Sequence, residues 1–206
     1  GAGVVDFSRF PEMTFDVKSK VDFQRMREIF FYKERWALSG EGDFTGKFHL
    51  FKGGHDLAGT FGSDVAGVYD YRFPQLYGSL HCTPALFEVT EAGSKLFGGE
   101  ARFAYSLKPL GTKTGATARW EASYTDVDVA AVSDFYDLRG QRFSGRASGE
   151  NLLEWPNGRF HENHGSGRVT VTAPPDVLPM TGGLPPATAD PLPREWGPFA
   201  PLPLEP

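Results

Sequence analysis

The densest group of potential metal ligands in the sequence is His161-Glu162-Asn163-His164. Two imidazoles three residues apart can share a zinc ion when they lie on one face of a helix. Glycines at 158, 165 and 167 surround the group and favour a turn over a helix. Because no further His or Cys lies nearby in the sequence, we interpret the group as an exposed hairpin tip and expect no metal.

The single cysteine of this 206-residue chain, Cys82, directly follows His81. A Cys–His pair can act as a catalytic nucleophile, but only when the two side chains face each other. Adjacent residues of a strand point to opposite faces, so this pair does not meet that condition. We therefore interpret Cys82 as a buried core thiol. One cysteine also excludes an internal disulfide framework and a zinc site built from several thiolates.

Two carboxylates and a glycine cluster complete the candidates for chemistry. Asp126 and Asp128 share one strand parity, a spacing that suits acid–base catalysis or calcium binding. A helix is predicted to follow, and we favour a capping role for aspartate there.

Glycines at 40, 42 and 46 have a spacing like that of a nucleotide-binding loop, but such a loop follows a strand and precedes a helix. Here the predicted helix comes first, so the glycines are expected to relieve crowding in a bent sheet. No catalytic set and no cofactor are expected.

Most of the chain alternates between apolar and polar residues, which predicts β-strands with one dry and one wet face. The abundance of Phe, Tyr and Trp, 14% of residues, also fits strands. Short Gly- and Pro-containing turn signals separate the runs, so hairpins and antiparallel pairing are expected. The clearest alternating runs are 15–23, 44–50, 85–89, 102–108, 116–124 and 168–172.

Two stretches have helical spacing instead. Apolar residues recur every three to four positions over 22–36 and over 129–138, with Asp22 and Asp128 as the expected N-caps. Each stretch leads into a strand and a Gly-containing turn, so we predict two similar units, at about 12–110 and 116–173.

The last part of the chain has a different composition. Residues 174–206 contain 11 of the 16 prolines, which predicts a Pro-rich extended linker.

The net charge of the whole chain, −5, argues against nucleic acid as a partner. The first residues lack an initiator Met and a basic segment, so we expect a piece of a longer protein, with any membrane anchor outside it.

The predicted fold is mainly β. We expect a curved antiparallel sheet that forms an open β-groove, with two short α-helices and the Pro-rich C-terminal tail. Two arrangements of the apolar stripes remain open, a packed sandwich core or an open concave face that receives a ligand. The apolar face is predicted to contain Phe15, Val17, Val21, Phe48, Leu50, Phe87, Val89, Phe103, Tyr105, Leu107, Trp120 and Tyr124.

Several segments share a recognisable pattern of glycines and apolar residues. They are Tyr124–Phe135, Leu138–Gly140, Phe143–Glu150 and Leu152–Pro156 in the second unit, and Gly59–Phe61, Tyr71–Gly78 and Leu96–Gly99 in the first, with Arg194–Phe199 in the tail. These segments resemble the AsmA-like superfamily, in particular TamB-type translocation and assembly module proteins of Gram-negative bacteria. The resemblance spans most of the chain.

The resemblance implies an elongated groove in the periplasm, within a protein anchored in the inner membrane. Such a groove is implied to carry phospholipid acyl chains between the inner and outer membranes, with the apolar residues named above as its lining. A structural module that aids outer-membrane protein biogenesis, in contact with outer-membrane assembly proteins, is the first alternative. A carbohydrate-binding β-sandwich that uses Trp36, Trp120 or Trp155 is the second.

Overall fold

The computed structural model describes residues 1–8, 12–33, 37–113, 115–136 and 143–173. These residues form one sheet of ten strands in sequence order, each antiparallel to the next, and the predicted mainly β fold is confirmed. The predicted linker 174–206 lies outside the described residues. The strands are β1 (Ala2–Asp6), β2 (Glu12–Asp22), β3 (Leu38–Phe51), β4 (Gly54–Val68), β5 (Tyr71–Thr83), β6 (Leu86–Leu96), β7 (Gly99–Lys108), β8 (Thr117–Asp128), β9 (Arg146–Pro156) and β10 (His164–Thr172).

Two short α-helices follow β2 and β8, and both begin where the sequence predicted. In α1 (Phe23–Phe30), the Asp22 carboxylate accepts a hydrogen bond from the Arg25 amide at 3.1 Å. In α2 (Val129–Phe135), the Asp128 carboxylate accepts one from the Ala130 amide at 2.9 Å. These bonds satisfy amides that have no partner within the helix. A 3-10 turn, Phe160–Glu162, precedes β10.

The predicted helix lengths are wrong. We expected helices over 22–36 and 129–138, but α1 ends at Phe30 and α2 at Phe135. Phe31 has left the helical conformation, with φ −124°, and its side chain is buried against the sheet. The residue at which the helical conformation is lost is thus the one whose ring packs on the sheet. Tyr136 caps α2 in the same position.

Loss of the α2 cap gives a direct stability test. Asp128→Ala is expected to reduce the free energy of unfolding by about 1 kcal/mol, because two helix amides lose their acceptor. Urea denaturation followed by circular dichroism measures this change. Asp134→Ala, an exposed position within the same helix, is the matched control and is expected to have little effect. Equal losses in the two variants would contradict the capping role.

The pairing register between neighbouring strands shows on which of the two faces of the sheet each side chain lies. Residues opposite each other in an antiparallel pair lie on the same face, so one row can be followed from strand to strand. That row is entirely apolar, and its face is called the apolar face below. The row consists of Phe15, Phe48, Leu57, Cys82, Phe87, Leu107, Ala118 and Trp155.

The opposite face, the polar face, is rich in charge pairs between neighbouring strands. Arg119 donates to Glu154 at 2.7 Å, and His49 lies 2.9 Å from Glu12. These pairs are solvent-exposed, so each contributes little to stability, but together they keep the polar face hydrated. Further pairs join Lys20 to Asp43, Lys47 to Asp16, and Lys95 to Glu100.

The sheet curls around its apolar face. The chain after α1 reaches across that face, where Lys33 contacts Gly158, just beyond β9. Lys33 lies five residues before Leu38, the start of β3, and five residues span at most about 18 Å. In a flat sheet, the six steps from β3 to β9 would cover about 29 Å. The sheet must therefore bend to bring β9 towards β3. Register shifts in β3–β4, β5–β6, β6–β7 and β8–β9 introduce such bends.

Within the described residues there is no second sheet, so the apolar face is not the inside of a β-sandwich. The two packed sheets that the carbohydrate-binding alternative assumes are therefore not found in this part of the chain. Trp155 is buried and packs edge-on against Phe160 at 5.0 Å, which leaves no open ring for a sugar. Trp120 is half-buried on the apolar face, and Trp36 lies outside the described residues.

Candidate functional site

The register places every predicted lining residue on the apolar face. The face is not equally accessible along its length. Phe87, Tyr105 and Leu107 are buried in a packed cluster, with Leu107 only 1% exposed. The remaining predicted residues are half-buried and form the accessible part of the lining.

The buried part is covered by the chain that follows α1. The Phe31 ring meets Phe87 edge-on at 4.8 Å and Tyr105 at 5.7 Å between ring centroids. Met26 of α1 packs against this cluster and also against a second one formed by Phe23, Ala66 and Phe73. Sequence reasoning missed the Phe31 contact, since an aromatic residue after a helix carries no local sign of its distant partner.

Two accessible stripes lie beside this covered region. The β2–β3 stripe consists of half-buried Met13, Phe15, Val17, Phe48 and Leu50. The β7–β9 stripe consists of half-buried Phe103, Trp120, Ala122, Tyr124 and Leu153. Phe103 and Trp120 stack at 4.8 Å, and the more exposed Val169 and Val171 continue the apolar surface onto β10.

Aromatic rings occupy the space above glycines on the apolar face. The Phe44 ring occupies the space that a Cβ would need at both Gly46 and Gly59, 2.7 Å from each position. The Phe61 ring lies over Gly78 in the same way, at 2.6 Å. The expectation that glycines relieve crowding in a bent sheet agrees with this packing at Gly46.

Gly46 gives the second stability test. A Cβ at Gly46 would lie 2.3 Å from the Ala58 carbonyl oxygen, so Gly46→Ala must displace backbone and the Phe44 ring. We expect a loss of about 1–3 kcal/mol, typical of overpacking. The control is Gly62→Ala, whose Cβ would meet only the Leu76 carbonyl at 3.8 Å. Thermal denaturation of both variants measures the difference, and a more stable Gly46→Ala protein would contradict the packing.

The structure places Cys82 and His81 on opposite sides of the sheet, as the strand pattern predicts. Cys82 is 4% exposed on the apolar face, whereas His81 lies on the polar face, 3.3 Å from Asp56. Burial raises the pKa of the Cys82 thiol, and the nearby charge of Asp56 adds to this. A raised pKa leaves less thiolate at neutral pH, which disfavours a nucleophilic role.

A β-bulge interrupts β8 at Asp126, shortly before Asp128. A register shift lies between Tyr124 and Val127, and Asp126 has a positive φ of 56°. The bulge turns the Asp126 carboxylate towards Arg146 at 3.7 Å, while Asp128 caps α2. The capping role favoured from the sequence is confirmed.

The His161–His164 segment forms the 3-10 turn and the start of β10. The His161 side chain is 78% exposed and the His164 side chain 72%. His164 lies 3.7 Å from Glu154, and His161 lies 3.5 Å from Glu162. Among the described residues, no three His, Cys, Asp or Glu side chains are grouped so as to hold a metal ion.

An open depression of about 880 Å³ crosses strands β5 to β10. Most of its lining residues, such as Arg102, Glu121 and Glu150, lie on the polar face, so the depression is not part of the apolar face. Because it is broad and open, it provides surface and not an enclosed catalytic pocket.

No helix in the described part of the chain has both the length and the apolar character needed to cross a membrane. Comparison with known proteins found no protein-family model, no curated protein and no solved structure that matches this chain.

Proposed function

We propose that this chain is a segment of an AsmA-like, TamB-type envelope protein whose curled apolar face carries phospholipid acyl chains between the inner and outer membranes. The proposal places the segment in the periplasm, with a membrane anchor elsewhere in the full-length protein, and assigns no catalytic residue. The observation that supports it is an apolar face that runs across ten strands without a second sheet in the described residues.

The energetics favour such a role. Exposure of a sixteen-carbon acyl chain to water costs about 12 kcal/mol, at roughly 0.8 kcal/mol per methylene. The two stripes offer half-buried aromatic and aliphatic side chains that can remove much of that contact with water. A contiguous apolar patch on a folded protein is often a site where something binds.

The polarity of the two faces also supports the proposal. A curled sheet with a dry inside and a charged outside holds acyl chains within and remains hydrated on the polar face. The concave space enclosed by the curled apolar face is called the trough below. A phospholipid headgroup would lie at the open side of this trough, in contact with water. We therefore expect weak discrimination between headgroups, because the lining identified here contacts only the hydrocarbon.

Lipid capture from vesicles tests the proposal. The full chain is incubated with vesicles of phosphatidylethanolamine and phosphatidylglycerol that contain a fluorescent phospholipid, and the vesicles are then removed by flotation. We expect fluorescent phospholipid to stay with the protein in a saturable manner. Recovery of protein without lipid at every protein concentration would contradict the proposal.

The free edge of β10 favours a second candidate, a module that aids outer-membrane protein assembly by strand pairing. The strand is exposed along its whole length, pairs with β9 alone among the described strands, and contains neither Lys nor Pro to block a further strand. The folding yield of a purified outer-membrane β-barrel protein, with and without this chain, tests the candidate. An unchanged yield would exclude it.

A further inference from the structure

The segment Phe23–Lys33, here called the strap, lies across the apolar face. Its first residue, Phe23, rests on Gly42 of β3, where a Cβ would lie 2.7 Å from the ring. Its last residue, Lys33, contacts Gly158 beyond β9. The strap therefore bridges the two sides of the curled sheet, and any ligand that runs along the trough must share the apolar face with it.

One side chain of the strap enters a deep part of the apolar face. Phe31 is 4% exposed and inserts into a socket formed by five strands. The socket consists of Cys82, Phe87, Tyr105, Leu107, Ala118 and Trp155. Within this cluster the Phe31 ring meets Phe87 and Tyr105 edge-on, and a hydrocarbon group of similar width can take its place without loss of a charge pair.

Within the described residues, the far end of the strap is joined to the sheet by the buried Phe31 ring and by the contact of Lys33 with Gly158. The helix α1 packs against β2 and β3, near the start of the strap. Beyond the helix, Tyr32 is 68% exposed, and Ile29 in the last turn is 67% exposed. The short stretch after α1, which has one buried ring, can open locally at less cost than the strands beneath it, whose backbone bonds are shared with both neighbours.

We propose that the socket is a binding site for the end of a lipid acyl chain, and that Phe31 occupies it when no lipid is present. This inference rests on the proposed function and identifies its deepest subsite. Displacement of the Phe31 ring by an acyl chain joins the β2–β3 stripe to the β7–β9 stripe. The strap thus acts as a competitor that lipid must displace to pass along the trough.

The substitution Phe31→Ala tests the competition. Removal of the ring empties the socket, so a ligand no longer has to displace it. We expect pyrene-labelled hexadecanoic acid to bind about tenfold more tightly than to the wild-type chain, because the open state becomes the main one. Ile29→Ala, on the same helix but exposed, is the control and should bind as the wild type does.

Two further measurements keep the test decisive. Phe31→Leu retains an apolar anchor, and circular dichroism of both Phe31 variants shows whether the sheet is intact. Cys82 lies in the socket, so its rate of reaction with a maleimide should rise in Phe31→Ala and fall again when the probe is bound. A pyrene-labelled phospholipid, tested in parallel, shows whether the site accepts a diacyl lipid or only a free fatty acid.

The outcomes separate the two proposals. If the wild-type chain binds the probes and a folded Phe31→Ala protein binds them no more tightly, the socket inference is wrong and the trough proposal stands. If neither protein binds either probe, both proposals fail. If Phe31→Ala is unfolded, Phe31→Leu must bind the probes more tightly than the wild type, and equal or weaker binding overturns the inference.

Discussion

Leu107→Asp is expected to prevent folding of the chain. Leu107 is 1% exposed and lies opposite Phe87 on one side and Ala118 on the other, at the centre of the largest buried cluster. An uncompensated charge buried there costs several kcal/mol, which is comparable to the whole stability of a typical domain. Far-ultraviolet circular dichroism and thermal denaturation are expected to show no cooperative transition.

The matched control introduces the same charge on the other face of the sheet. Thr117 precedes Ala118 in β8, is exposed, and lies opposite Lys108 in the register. Thr117→Asp should therefore fold and melt close to the wild-type temperature. A cooperative, wild-type-like transition for Leu107→Asp would show that the apolar face is not packed at this position.

Phe15→Asp is expected to keep the fold and abolish lipid capture. Phe15 lies in the half-buried β2–β3 stripe, between Gly3 and Phe48 in the register. Because this stripe is not closed over, a carboxylate there can remain hydrated, and the loss of stability should be limited to the lost ring contacts. An acyl chain that covers this carboxylate must remove it from water, which costs free energy. We therefore expect at least about a tenfold loss of phospholipid in the flotation assay, or 1.4 kcal/mol of binding free energy.

Thr14→Asp is the control, because Thr14 precedes Phe15 and lies exposed on the polar face. It adds the same charge to the same strand and should capture lipid as the wild type does. Equal losses in both variants would point to a general effect of charge, and retained capture by Phe15→Asp would exclude the β2–β3 stripe as a lipid path.

The strands and turns were predictable because their signals are local. Alternation in runs such as 102–108 sets which side chains share a face, and glycines such as Gly53 and Gly98 supply the positive φ that the hairpin turns need. The helix starts were predictable for the same reason, since an aspartate cap acts within three residues. The helix ends were not, because α1 ends where Phe31 finds a partner in distant strands.

The sequence could predict which residues lie on the apolar side of the sheet, but not which of them are accessible to a ligand. Parity places Phe15 and Tyr105 on the same side of the sheet, yet it cannot show that Phe31 covers Tyr105 and leaves Phe15 accessible. Register shifts also change the face on which a side chain lies, so alternation alone mispredicts it. At Asp126, for example, a bulge changes the direction of the carboxylate. Both effects depend on contacts between parts of the chain that are far apart in sequence.

Photo-crosslinking along β3 tests the central proposal, that the apolar face carries acyl chains, most directly. A photoreactive amino acid is placed in turn at Lys47, Phe48, His49 and Leu50, and each protein is irradiated with phospholipid vesicles. Phe48 and Leu50 lie on the apolar face, and Lys47 and His49 on the polar face. The proposal predicts lipid adducts at Phe48 and Leu50 but not at Lys47 or His49. Adducts of equal yield at all four positions, or at none of them, would contradict it.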